Sequence, residues 1–178
     1  MNTKRLVKIL LSCGLLVAAL AVVAPASAAD ATVSINSGGS ATGSFTADQD
    51  FSGGSTYTTT NTINTSQITG TVPPVAVFQS ERYGTFTYTI PNRTAGSTQT
   101  VTLYFAETYL TAAGQRLFGV TINGTSVLSG FDIYAAAGGA NRAIARTFTT
   151  TANSSGQVVI AFTSQTENPK INGITVAG

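Results

Sequence analysis

The chain has 178 residues, with 9 basic and 7 acidic side chains, one cysteine and no histidine. Without histidine there is no Ser-His-Asp or Cys-His catalysis and no histidine-ligated zinc. A single cysteine gives no internal disulfide, so any domain here must be held by its core.

The first element is a leader. Lys4, Arg5 and Lys8 precede an apolar run from Ile9 to Ala24, and Ala26-Ser27-Ala28 follows Pro25 as a small-x-small cleavage site. Positive start, apolar middle and small residues at the cut predict a signal peptide over 1–28. The run falls short of the roughly 20 apolar residues of a membrane-spanning helix. Leu10-Leu11-Ser12-Cys13 loosely matches a lipoprotein processing site, but cutting there would leave the apolar stretch Leu15 to Val23 on the mature chain. Cleavage near Ala28 predicts a secreted product, extracellular or periplasmic, no longer attached to the membrane. It removes Cys13 and leaves six cations, Arg82, Arg93, Arg116, Arg142, Arg146 and Lys170, against seven acids, a net charge of −1. Such a surface has no basic field for nucleic acid. Residues 29–178 are expected to form one domain.

Along the mature chain no helical apolar period persists, and two-residue alternation replaces it. Strands are predicted near 31–36, 76–80, 84–90, 99–106, 116–123, 126–129, 143–150, 157–163 and 170–176. Phe86-Thr-Tyr88-Thr-Ile90 and Val101-Thr-Leu103 are typical, with threonine on the wet face. The stretch from Ser37 to Thr71 is polar; Phe45, Phe51 and Tyr57 indicate that it packs, but it gives no clear strands. Its Asp48 and Asp50 are either solvated turn residues or oxygen ligands for calcium. Asn123-Gly124 marks a hairpin. Many short strands with regular turns predict an all-β chain folded as a jelly-roll β-sandwich.

If the strands from 76 onward run up and down, one end of the sandwich receives 91–98, 124–125 and 151–156. The other receives 81–83, 107–115, 130–142 and 164–169. Glu81, Arg82, Tyr83, Glu107, Tyr109, Arg116, Asp132, Tyr134, Arg142, Glu167 and Lys170 gather at or beside that second end. The opposite loops are polar but nearly uncharged. Function concentrates on loops held by a rigid scaffold, which points to the charged end.

Two chemistries fit it. Two of Glu81, Glu107, Asp132 and Glu167 could face one another as the carboxylate pair of a glycoside hydrolase or lyase. Tyrosines beside carboxylates, amides and arginine equally describe a sugar-binding surface, with rings for the apolar pyranose face and bidentate groups for its hydroxyls. A structural or adhesive surface domain is a third possibility, favoured by the threonine-rich strands. No cofactor is indicated.

Phe78-Gln79-Ser80-Glu81-Arg82-Tyr83, Leu103-Tyr104-Phe105-Ala106-Glu107-Thr108-Tyr109, Phe118-Gly119-Val120-Thr121-Ile122-Asn123-Gly124 and Glu167-Asn168-Pro169-Lys170-Ile171 resemble the malectin family in order and spacing. Phe131-Asp132-Ile133-Tyr134-Ala135-Ala136-Ala137-Gly138-Gly139 resembles the bacterial malectin-like modules that accompany polysaccharide-acting proteins. The resemblance, from about residue 33 to 176, implies a galactose-binding-like jelly roll. It also implies non-catalytic binding of glucose-type oligo- or polysaccharide through loop aromatics and an acid. Carried over, the site residues are Tyr57, Tyr83, Tyr109, Leu110 and Glu167. Leu110 stands where animal malectin has a second aromatic, and Glu167 where it has aspartate. Each has a packing alternative: Tyr83 against Arg82, Tyr109 as a loop anchor, Glu167 paired with Lys170, Leu110 as filler.

Overall fold

The computed structural model describes residues 29–178; the leader and its cut near Ala28 lie outside the described residues. The elements are β1 (Val33–Asn36), β2 (Phe51–Thr58), α1 (Val75–Phe78), β3 (Ser80–Ile90), β4 (Thr98–Ala106), β5 (Leu117–Ile122) and β6 (Thr125–Phe131). They continue with α2 (Ile133–Ala137), β7 (Ala143–Thr151), β8 (Val158–Thr166), β9 (Lys170–Ile171) and β10 (Gly173–Ala177).

Alternation is what makes two layers. Successive strand side chains point to opposite faces, so every second residue can be apolar and inward. Phe86, Tyr88 and Ile90 of β3, Val101, Leu103 and Phe105 of β4, and Val158, Ile160 and Phe162 of β8 are all buried. They join residues of β5, β6, β7 and β10 in one core. One sheet runs β1-β10-β4-β7; the other runs β2-β3-β8-β5-β6, with β9 added on β3. All the pairings within these sheets are antiparallel, and the result is an all-β sandwich. Rings lock the interface: Phe86 stacks on Phe162 at 4.5 Å between centroids, and Phe105 meets Phe131 at 5.1 Å. On the wet face of the four-stranded sheet the register places Ser34, Thr175, Thr102 and Thr147 in one row. Hydroxyl hydrogen bonds of 3.2 and 3.1 Å join the outer pairs of that row.

The structure changes five of the expected elements. The strand expected at 76–80 is the single turn α1, because Pro74 presets the preceding φ at −51° and its carbonyl accepts the Val77 N–H at 2.9 Å. A short apolar run does not separate strand from helix. Glu81-Arg82-Tyr83 is not a connection but the opening of β3. β2 lies inside the stretch that gave no clear strand. Every residue of it is exposed, so it is held by its backbone ladder to β3 and carries no burial pattern. α2 was not expected, although its caps are visible in the sequence: Asp132 accepts the Ala135 N–H, and Gly138 closes the turn at φ 70°. The strand expected at 170–176 is divided at Asn172, where the chain passes from one sheet to the other. The buried Asn172 side chain bridges the gap, donating to Phe78 O and Ser80 O and accepting from Ala106 N–H.

Candidate functional site

β2 and β3 form the first wall. Gly53 and Gly54 have φ of 78° and 72°, and a Cβ on Gly54 would lie 2.8 Å from Tyr83 O. Only glycine combines that backbone with so close an approach. The register shifts here, between Gly53 and Ser55. Beyond the shift Ser55 pairs with Tyr83 and Tyr57 with Glu81. Tyr57, Glu81 and Tyr83 then line one cavity, while the alternate residues Thr56, Thr58 and Arg82 line another.

Arg82 is therefore turned away from Tyr83. Its Nε and Nη2 bond Asp48 Oδ2 at 3.0 and 2.6 Å, and its guanidinium carbon lies 3.3 Å from the Phe51 ring centre. Asp48 Oδ1 accepts the Tyr88 hydroxyl at 2.7 Å. Burial first, then this hydrogen bond to Asp48, raises the Tyr88 phenol well above its ordinary value. Both Asp48 oxygens are thus engaged by neighbouring side chains. No group of three or more metal-ligating side chains occurs among the described residues.

Beneath the first wall Lys170 is fully buried and ion-paired with Glu81 Oε2. Its ammonium also donates to Ala106 O at 2.6 Å and to Thr108 Oγ1 at 3.4 Å. Thr108 donates in turn to Glu81 Oε2 at 3.2 Å. Lys170 takes Glu81, not Glu167, as its partner. No hydrogen bond to Glu81 Oε1 is made by the described residues, and Glu81 lines the cavity.

The second wall is the β4–β5 loop, organised by Glu107. This carboxylate is fully buried and accepts Arg116 Nε at 2.7 Å. It also accepts the N–H groups of Tyr109 and Leu110, both at 3.1 Å. Burial pushes the Glu107 carboxyl up, but three effects together outweigh it: the Arg116 hydrogen bond, the charges of Lys170 and Arg116, and the Leu110 N–H. The carboxyl is held below its ordinary value. Asp132 anchors the loop's far side, accepting Gly114 N–H at 2.6 Å. Tyr109 stands on this frame 70% exposed, so it anchors no core.

The third wall follows β8. Glu167 sits at φ 59°, a left-handed conformation uncommon for a glutamate. The Ser164 hydroxyl donates to its carbonyl, and its Oε1 accepts Asn168 Nδ2 at 3.0 Å. Arg116 Nη1 donates to Asn168 O and ties this wall to the second.

The cavity enclosed is about 320 Å³, lined by Tyr57, Glu81, Tyr83, Tyr109, Arg116, Glu167 and Asn168. Of the expected site residues, Tyr57, Tyr83, Tyr109 and Glu167 are brought together there. Leu110 is half-buried and does not line it. Asp132, Tyr134 and Arg142 are not on its walls either. Glu81, Arg116 and Asn168 are lining residues outside the expected set. Sequence placed the first two at the charged end, and the third stands in the Glu167-Asn168-Pro169-Lys170 motif.

Two facing antiparallel sheets thus make a β-sandwich with a tyrosine- and carboxylate-lined cavity. The chain belongs to the malectin domain family, whose profile matches residues 31–174. No curated protein matches it significantly. Among solved structures it is similar to the ANX2 ectodomain from Arabidopsis thaliana, at 16% identity and TM-score 0.73, covering 82% of this chain and 48% of that one. It is similar also to a chain in the complex of the plant peptide RALF23 with FER and LLG2, at 18% identity and TM-score 0.71, covering 82% and 48%. A calcium-binding mutant of Bacteroides uniformis beta-glucuronidase 2 matches at 19% identity and TM-score 0.63, covering 82% of this chain and 18% of that one. The chain thus spans about half the length of the plant proteins. At these identities the likeness is one of fold.

Proposed function

We propose that the protein is a secreted, non-catalytic carbohydrate-binding module that takes a glucose-type oligo- or polysaccharide in the cavity among Tyr57, Tyr83 and Tyr109. The observation that carries this reading is the convergence of three tyrosines from β2, β3 and the β4–β5 loop on one cavity of about 320 Å³. Free carboxylate oxygens lie beside the rings. Ring faces take the apolar side of a pyranose, and burying about 60 Å² of it contributes about 1.5 kcal/mol. Glu81 Oε1 and Glu167 are acceptors for sugar hydroxyls. Leu110 supports the loop rather than the ligand.

The carboxylates support binding over hydrolysis. A glycosidase acid needs a raised pKa, whereas Glu107 is held low. Glu81 is paired with Lys170, and both Asp132 oxygens accept backbone N–H groups. The leader supports export, and no helix among the described residues is long and apolar enough to cross a membrane. A similar sandwich forms part of a longer beta-glucuronidase chain, which supports action beside a carbohydrate-acting enzyme.

Affinity electrophoresis against glucans and plant polysaccharides tests the reading. Retardation by at least one polymer is expected, with affinity falling about tenfold on Tyr83→Ala or Tyr109→Ala. A folded protein that no polymer retards, or variants that bind like wild type, would overturn it. Steady release of reducing ends would replace it with the hydrolase reading.

A further inference from the structure

The charges around the cavity do not balance, and the imbalance selects among sugars. The described residues carry six cations, and each has a place. Arg82 is bonded to Asp48 on the far side of β3. Arg93 donates to Ala31 O and Pro91 O at the opposite end. Arg142 lies against Gly138 and Gly139 after α2, and Arg146 stands over the Phe131 ring. Only Arg116 and Lys170 reach the cavity region, and each has its own carboxylate, Glu107 and Glu81.

Glu167 has no such partner. It is exposed and lines the cavity, and among the described residues its carboxylate bonds only the neutral Asn168 amide, through Oε1. Counting Glu81, Glu107 and Glu167 against Arg116 and Lys170, the cavity and the two ion pairs under it carry a net charge of −1.

We propose that Glu167 makes this cavity a charge filter, favouring a sugar that bears an ammonium group, accepting a neutral one and disfavouring a uronate. This rests on the carbohydrate-binding reading above and names its ligand class. An amino sugar places its cation against a carboxylate with a free oxygen; a uronate meets the same oxygen with no unpaired cation to answer it. Two unit charges about 4 Å apart in water interact by about 1 kcal/mol, which is about fivefold in affinity. The difference should shrink with added salt, because Glu167 is exposed.

The test uses three methyl glycosides on one ring framework: methyl glucosaminide with an ammonium at C2, neutral methyl glucoside, and methyl glucuronide with a carboxylate at C6. Glu167→Gln separates the effect of charge from that of the changed groups. They are titrated at low salt, followed by ligand-detected nuclear magnetic resonance. For the wild type, affinity should fall about fivefold at each step, from cation to neutral to anion. Glu167→Gln should bring the three within about twofold, and Glu167→Asp should keep the order. Equal affinities in the wild type would overturn the filter, as would an order that Glu167→Gln leaves unchanged. Absence of binding by all three in a protein that polysaccharides do retard also overturns it, leaving the binding reading in place. A protein that binds neither set fails both.

Discussion

Glu107 is completely buried yet carries its charge, because Arg116 and two backbone N–H groups receive it. Removing one partner of such a pair leaves the other uncompensated. Glu107→Gln should therefore destabilise the fold by about 3 kcal/mol, read as a lower urea midpoint. Its pKa is lower folded than unfolded, so its contribution is fully present above the ordinary value near 4.5 and is lost as pH falls through the folded value. The variant should show a flatter loss of stability below about pH 4.5 than wild type, measured by urea unfolding across pH. At the opposite end Asp30 is held at a pKa of about 2, first by the Thr94 hydroxyl and backbone N–H, which outweigh the opposing effect of desolvation, and then by Ser97 and Gln99. A carboxyl chemical-shift titration should find its midpoint near that value; a midpoint near 4 would mean these hydrogen bonds do not form in solution. The same residue-scale logic separates the tyrosines. Tyr109 is 70% exposed, so Tyr109→Ala should leave stability within about 0.5 kcal/mol of wild type while weakening sugar binding.

Among the elements, β2 connects backbone geometry to the site. The close approach at Gly54 shifts the register and places Tyr57 opposite Glu81. Gly54→Ala adds a Cβ 2.8 Å from Tyr83 O at a left-handed position, at about 2 kcal/mol. The expected result is faster amide hydrogen exchange across β2 and weaker polysaccharide binding, with the β4 amides still protected. β2 was hard to see in sequence for the same reason that it matters. An edge strand held by its backbone ladder needs no apolar alternation, and Gly53-Gly54 reads as a turn. α1 reads as strand in the sequence because Val75-Ala76-Val77-Phe78 is too short to show a period. β3, β4, β5 and β8 were legible because each buries one face in the core.

On the scale of the whole molecule, stability rests on two sheets closing over aromatic side chains, without any disulfide in the described residues, none of which is cysteine. Phe105 sits where β4, β5 and β6 meet, touching Phe118 and Phe131 at 6.0 and 5.1 Å between centroids. Phe105→Ala should cost about 4 kcal/mol, with the urea midpoint falling and the m-value unchanged. A change confined to the slope would mean that the two sheets do not unfold together.

By itself the sequence determined the class of fold and the end of the molecule where charge gathers. Period-two burial is a local property that a linear pattern records, whereas the order of strands in the sheets is not. It also brought Tyr57, Tyr83, Tyr109 and Glu167 into view as candidates, through family motifs. Only the tertiary structure decided which side chains share a cavity and which acids are already taken. Glu81 and Lys170 are 89 positions apart, and Arg82 and Asp48 are 34 apart. Such pairings depend on register shifts and on the crossing at Asn172. A single slipped residue turns a side chain to the other face, so chain order does not state them.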